Sequence, residues 1–174
     1  MKIGLFYGSD TGKTKEVAEK IADLVGTENI DIYNWADTNP QKILDYEYLI
    51  FGAPTWYDGE LQADWETNLP ALSKLDFSGK KVAIYGLGDQ YGYAEYYLDA
   101  VGTIADVVTA QGGEILGLWS TEGYEHTASK GERDGYFLGL ALDEDNQPEL
   151  TEERLNAWLA QVWQEFGFEV EIEA

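Results

Sequence analysis

The sequence predicts a single α/β domain, residues 1–174, built on a doubly wound parallel sheet. Two observations carry this reading. Five short apolar runs are rich in β-branched or aromatic residues and lack the alternation of a half-exposed strand, as strands buried on both faces do. Between them lie segments whose apolar residues recur at helical spacing, and strands alternating with helices imply a parallel sheet covered on both faces. A chain of 174 residues can bury roughly 70% of its unfolded surface in one continuous core.

The first strand is expected over residues 3–7 and opens into SDTGKT at 9–14. Val17, Ala18, Ile21, Leu24 and Val25 then share one helix face. A second strand is expected over 30–33. A third, 48–53, leads into APTWYDGELQADW at 53–65, and a fourth, 82–87, leads into GLGDQYGYAEY at 86–96. Tyr97, Ala100, Val101, Ile104 and Val108 form the next helix face, followed by a strand over 115–119. Residues 120–150 break the rhythm, being too long and polar for a tight connection, yet they contain the apolar run 136–142. They read as an excursion that interrupts the last strand and returns to it, serving as structural cover or as a docking surface. Leu155, Trp158, Leu159, Val162, Trp163 and Phe166 make a final amphipathic helix, opened by Thr151 as N-cap and closed by Gly167.

Charge and missing residues exclude several function classes. Lys and Arg number 11 against 33 Asp and Glu, a formal charge of -22, which argues against nucleic acid or an anionic membrane as partner. A solvated, self-repelling surface and the steering of a basic partner both account for such acidity. The absence of cysteine removes disulfides, thiol nucleophiles and Cys-held metal clusters, so any redox chemistry must come from an organic cofactor. No leader pattern opens the chain and no stretch approaches about 18 uninterrupted apolar residues, so a soluble, cytoplasmic protein without membrane insertion is expected.

The three strand-end loops are expected to converge on one ligand. In SDTGKT, backbone N–H groups and the hydroxyls of Ser9, Thr11 and Thr14 can surround a phosphate at the positive end of the following helix. A Walker A loop needs four residues before Gly-Lys-Thr, and Gly8 to Gly12 leaves three; a plain Ser/Thr helix cap is the other alternative. GLGDQYG has G-x-G-x-x-x-G spacing after the fourth strand rather than the first, so it is no dinucleotide fingerprint. Its glycines suit close approach to a flat ligand resting on Tyr91 or Tyr93. Trp56 lies just past Pro54 and Thr55; an isolated loop tryptophan usually packs, but the second aromatic loop favours ligand contact. His126 reads as a solvated surface residue, Glu152 and Glu153 as helix-start residues, and 143–145 as turn residues. No metal or glycosidase role is indicated.

Taken together, SDTGKT, PTWYDGELQADW, GLGDQYGYAEY and GLALDEDNQPELTEERLNAW resemble the long-chain flavodoxins of cyanobacteria and other bacteria over nearly the whole chain. The resemblance implies a flavodoxin-like five-stranded sheet in the family's order 2-1-3-4-5, with FMN at the switch between strands 1 and 3. It implies an FMN phosphate held by Ser9, Asp10, Thr11, Gly12, Lys13 and Thr14, and an isoalloxazine between Trp56 and Tyr93. Pro54, Thr55, Tyr57, Asp58 and Gly59 would complete one wall, Leu87, Gly88, Asp89 and Gln90 would face the pyrimidine edge, and Asp145 would reach the ribityl chain. Three positions depart from common family patterns: Asp10 where Gln is frequent, Tyr96 where Asn is frequent, and Tyr57 where many relatives carry glycine beside flavin N5. The implied function is a low-potential one-electron carrier, working between semiquinone and hydroquinone in place of ferredoxin when iron is scarce, and not an enzyme. Its implied partners are redox proteins with basic docking surfaces, such as ferredoxin/flavodoxin-NADP reductase, photosystem I or nitrogenase, met by a monomer. An NAD(P)H-dependent quinone reductase and a non-redox FMN-binding module are the alternatives; the first would need a basic cluster that the sequence does not show.

Overall fold

The computed structural model describes residues 2–9, 12–56 and 59–168, with Trp56 described by its backbone alone. In chain order the elements are β1 (Ile3–Tyr7), α1 (Lys13–Val25), β2 (Ile30–Asn34), β3 (Tyr48–Trp56), β4 (Glu60–Leu61), α2 (Ala63–Leu72), β5 (Lys81–Leu87), α3 (Asp99–Ala110), β6 (Glu114–Leu116), β7 (Trp119–Ser120), β8 (Glu132–Arg133), β9 (Tyr136–Phe137), β10 (Leu140–Leu142) and α4 (Thr151–Phe166).

β1 is buried at every residue because it has a parallel neighbour on each side. It pairs with β2 from Ile3↔Ile30 to Tyr7↔Asn34 and with β3 from Ile3↔Tyr48 to Tyr7↔Gly52. β3 pairs in turn with β5 from Tyr48↔Lys81 to Pro54↔Leu87, so the order runs β2-β1-β3-β5. The far edge of β5 is shared. β6 covers Lys81 to Ala83 and β10 covers Tyr85 to Leu87, which makes them two halves of the expected interrupted strand. The run 136–142 therefore divides: Tyr136 and Phe137 join β7 and β8 in a small antiparallel sheet, and only 140–142 return to the main one. Gly139 stands at the division, where a Cβ would lie 2.2 Å from the Ile84 carbonyl oxygen.

Alternation along the strands feeds two cores. Ile3, Leu5, Ile50 and Tyr85 pack with α1 and α4 on one face. Phe6, Leu49, Phe51 and Ile84 pack with α2 and α3 on the other. The stripe read on α4 is buried along its length, each large apolar side chain contributing about 1.5–3 kcal/mol by leaving water. Gly167 closes that helix in the left-handed conformation, φ 89, and the Phe168 N–H reaches the Trp163 carbonyl at 3.1 Å, the pattern of a Schellman cap.

Three expectations need correction. Thr151 does not cap α4: the chain enters the helix through a 3₁₀ turn, Pro148–Leu150, so Thr151 is itself helical and its buried Oγ has no partner. Tyr97 precedes α3 rather than lying on it. α2, read as part of the aromatic loop, is a helix; Gln62 caps it by accepting the N–H groups of Asp64 and Trp65. Among the described residues no helix is long and apolar enough to cross a membrane.

Candidate functional site

In an open parallel sheet, ligands bind where neighbouring strands send their connections to opposite faces, beyond the strands' carboxyl ends. Here that point lies between β1 and β3. After β1 the chain turns through Ser9, whose Oγ accepts the Gly12 N–H at 3.0 Å and so keeps its own proton for another acceptor. Gly12, φ 89, holds the N-cap position of α1 without any side-chain cap bond. The leading N–H groups of a helix lack intrahelical partners, and with the dipole they form an anion-binding end. The loop is fixed from below: the Tyr85 hydroxyl donates to the Thr14 carbonyl at 2.9 Å. Asp10 and Thr11 lie outside the described residues.

The second loop leaves the end of β3. Thr55 Oγ1 accepts the Ala100 N–H at 3.0 Å, and β4 folds back on β3 through Thr55↔Leu61 and Trp56↔Glu60. The turn between them passes through Gly59 at φ 87, where a Cβ would stand 2.5 Å from Asp99 Oδ2. Asp99 is 2% exposed; burial pushes its carboxyl up, with the Lys130 N–H and ammonium opposing. Gln62, 1% exposed, packs under the first loop, where a Cβ on Gly8 would meet its Oε1 at 2.1 Å. Tyr57, Asp58 and the Trp56 side chain lie outside the described residues.

The third loop, after β5, is held by a carboxylate read from sequence as a turn residue. Asp143 is fully buried. Its Oδ2 accepts the Gln90 N–H at 3.1 Å, Gln90 Nε2 at 2.8 Å and Asn146 Nδ2 at 2.9 Å. Its Oδ1 accepts the N–H groups of Asp145 at 3.2 Å and Asn146 at 3.0 Å. Asp89 organises the same loop, its Oδ1 accepting from Tyr91, Gly92 and Asn146 Nδ2 at 3.1, 2.7 and 2.8 Å. Burial raises the Asp89 carboxyl, but these N–H groups outweigh it and leave the group below its ordinary value.

Lys13, Thr14, Pro54, Thr55, Leu87, Gly88, Asp89, Tyr93, Glu144 and Asp145 come together around a cleft of about 250 Å³. Nine of these were expected from sequence; Glu144 was not. Tyr93 is 41% exposed. Gln90 is placed differently: fully buried, it turns its side chain toward Asp143 and Gln147, so it supports the loop from behind. Asp145 is pushed up by burial, then by the charges of Asp89 and Asp143, with Lys13 opposing. The carboxylates Asp89, Glu144 and Asp145 share this cleft with the one cation among its described lining residues, Lys13. His126, expected in solvent, is also corrected. Its side chain is 7% exposed and 2.6 Å from Glu132, and its ring packs on Tyr97 and Phe137 at centroid distances of 5.5 and 5.0 Å.

Known proteins resemble this chain in sequence and in overall fold. The sequence profile of the flavodoxin family matches residues 5–158. A flavodoxin of Picosynechococcus sp. is 49% identical over 167 residues, 95% of this chain and 98% of that protein. Flavodoxin 1 of Escherichia coli is 47% identical over 163 residues, 93% of each. Among solved structures, the flavodoxin of Fusobacterium nucleatum bound to flavin mononucleotide superposes with a TM-score of 0.90 at 34% identity, covering 94% of this chain and 98% of that one. A family profile over residues 5–158 and relatives 47–49% identical over more than nine-tenths of the chain place it in their family: the chain belongs to the flavodoxins.

Proposed function

We propose that this flavodoxin binds FMN in the cleft and carries electrons singly between redox proteins, at low potential and in the role of a ferredoxin. The observation that carries the reading is the uncapped start of α1 beside Ser9, opening into the same cleft as the exposed ring of Tyr93. Hydroxyl and amide donors at a helix start suit a phosphate dianion without a basic pocket, and the aromatic ring of Tyr93 on the third loop suits a ring system. Ser9, Gly12, Lys13 and Thr14 then hold the phosphate, joined by Asp10 and Thr11. Tyr93 covers one ring face and Trp56 the other, Pro54, Thr55, Tyr57, Asp58 and Gly59 form the wall, and Leu87, Gly88 and Asp89 meet the polar edge. FMN supplies one-electron redox chemistry when bound. The chain's part is to place it beside Asp89, Glu144 and Asp145, whose negative field disfavours added negative charge and lowers the potential. A charge of -22 suits basic docking surfaces such as that of ferredoxin/flavodoxin-NADP reductase, met by a cytoplasmic monomer. Lys13 alone among the described lining residues offers no second phosphate site for a nicotinamide substrate, which favours carrier over reductase.

Two measurements test this. Apoprotein titrated with FMN and with riboflavin should bind riboflavin far more weakly; equal affinity removes the phosphate assignment. Anaerobic spectroelectrochemistry should resolve two one-electron potentials, the lower well below that of free FMN. A single two-electron step at the free-flavin potential would overturn the carrier reading.

A further inference from the structure

The start of α3, behind the cleft, carries features that cofactor binding does not use. Leu98 is fully buried and left-handed, φ 58 and ψ 24, a conformation disfavoured for residues with a Cβ that persists only where the surroundings over-determine it. The next residue, Asp99, faces two ways. Its Oδ1 accepts the Lys130 N–H at 2.7 Å, and its Oδ2 lies against Gly59, 2.5 Å from where a Cβ would be. Segment 127–131 of the excursion meets this turn backbone to backbone: a Cβ on Gly102 would stand 2.2 Å from the Lys130 oxygen, and one on Gly131 2.6 Å from the Leu98 oxygen. Two connections run on to the cleft. The Ala100 N–H donates to Thr55 Oγ1 at 3.0 Å, and the N–H groups of Thr127 and Ala128 donate to the Ala94 carbonyl at 2.8 and 3.1 Å, one residue past Tyr93.

We propose that Asp99 is a positioning residue: by accepting the Lys130 N–H it clamps segment 127–131 onto α3, and through Gly59 and Thr55 that clamp fixes one wall of the flavin cleft. The excursion then sets cofactor affinity although 127–131 contribute nothing to the described lining of the cleft. This rests on FMN as the ligand. It differs from a role as plain cover, in which losing the clamp lowers the melting temperature and leaves the cleft unchanged. It differs also from a role through charge, because a side-chain amide can replace the carboxylate as acceptor for one N–H.

The test compares FMN dissociation constants and the separation of the two one-electron potentials, at a temperature where circular dichroism shows every apoprotein folded. Asp99→Leu removes the acceptor while keeping the branching at Cγ and should weaken FMN about tenfold or more, equal to about 1.4 kcal/mol, and change the potential separation. Asp99→Asn, which keeps an oxygen for Lys130, should stay within about threefold of wild type. Should Asp99→Leu not fold, Gly131→Ala forces the segment away from Leu98 and should itself weaken FMN about fivefold or more. The proposal is overturned by Asp99→Leu, or Gly131→Ala in its place, binding FMN like wild type with unchanged potentials. Asp99→Asn as weak as Asp99→Leu overturns it too, by showing that charge acts rather than position. Wild-type protein that fails to take up FMN would sink the cofactor reading itself, a result distinguishable from either.

Discussion

Replacing Asp143 by alanine should loosen the site from its rear. Five N–H donors converge on this buried carboxylate, and each buried donor left unpaired costs about 1–3 kcal/mol. The five do not count equally. Gln90 Nε2 keeps Gln147 at 2.8 Å, Asn146 Nδ2 keeps Asp89 at 2.8 Å, and the exposed Asp145 lets water reach the N–H groups of its turn. The Gln90 N–H has no such recourse, since Gln90 is fully buried. With the carboxylate's own desolvation recovered, the net loss is about 2–4 kcal/mol. At 174 residues each kcal/mol moves the midpoint by about 2–4 °C, so a loss near 3 kcal/mol corresponds to about 6–12 °C. Asp143→Asn should cost nearly as much, because its amide nitrogen would face donors where a second acceptor is needed. Urea unfolding followed by far-UV circular dichroism gives the stability, and an FMN titration gives the consequence for the cleft. A loss below about 1 kcal/mol in the alanine variant, with FMN affinity intact, would show that Asp143 does not hold the loops.

Further expectations concern the ring, the pH profile and the surface. Tyr93→Ala should weaken FMN binding by about 0.5–1.5 kcal/mol beyond lost burial and raise the fluorescence of bound flavin; unchanged fluorescence would remove Tyr93 from the ring face. Asp89 is held below its ordinary value, so its stabilisation is present above the unfolded value of about 3.9 and is lost as pH falls through the folded one. The stability deficit of Asp89→Asn should therefore be constant from about pH 7 to 5 and shrink below about pH 4, and a deficit persisting at the lowest pH contradicts the assignment. Electron exchange with a reductase of basic surface should fall, or pass through an optimum, as salt shortens the Debye length from about 10 Å at 0.1 M toward about 3 Å at 1 M. A rate indifferent to salt would leave the acidity to solubility.

The sheet was legible because burial on both faces writes itself into sequence as unbroken apolar runs, and 3–7, 48–53 and 82–87 carry no competing signal. The interrupted last strand was readable on the same terms. α2 was not: Pro70 sits inside its ten residues, and its buried Trp65, Leu69 and Leu72 adjoin an aromatic loop that absorbed them. The carboxylate–amide lock was illegible for another reason. Asp, Asn and Gln in a loop are ordinary turn formers, and only the approach of Gln90 from 53 residues away turns Asp143 into a buried anchor. His126 is likewise defined by Glu132 and Phe137 across the small sheet. One signal was available for Asp143: it directly follows 140–142, at the end of a run already read as buried strand.

The shared edge of β5 is closed by two segments at different distances along the chain. The lower half of that edge is closed by β6, some thirty residues downstream, with α3 between them. The upper half is closed by β10, which lies further along the chain, beyond the small sheet of β7, β9 and β8. Closing the longer loop to β10 costs more conformational entropy, and the cooperative units of a native protein open with unequal free energies. Since β10 runs straight into Asp143, the end of the sheet that forms the cleft should be the less protected end against hydrogen exchange in the empty protein. A ligand there would do more than occupy space: it would raise the weakest cooperative unit toward the stability of the rest.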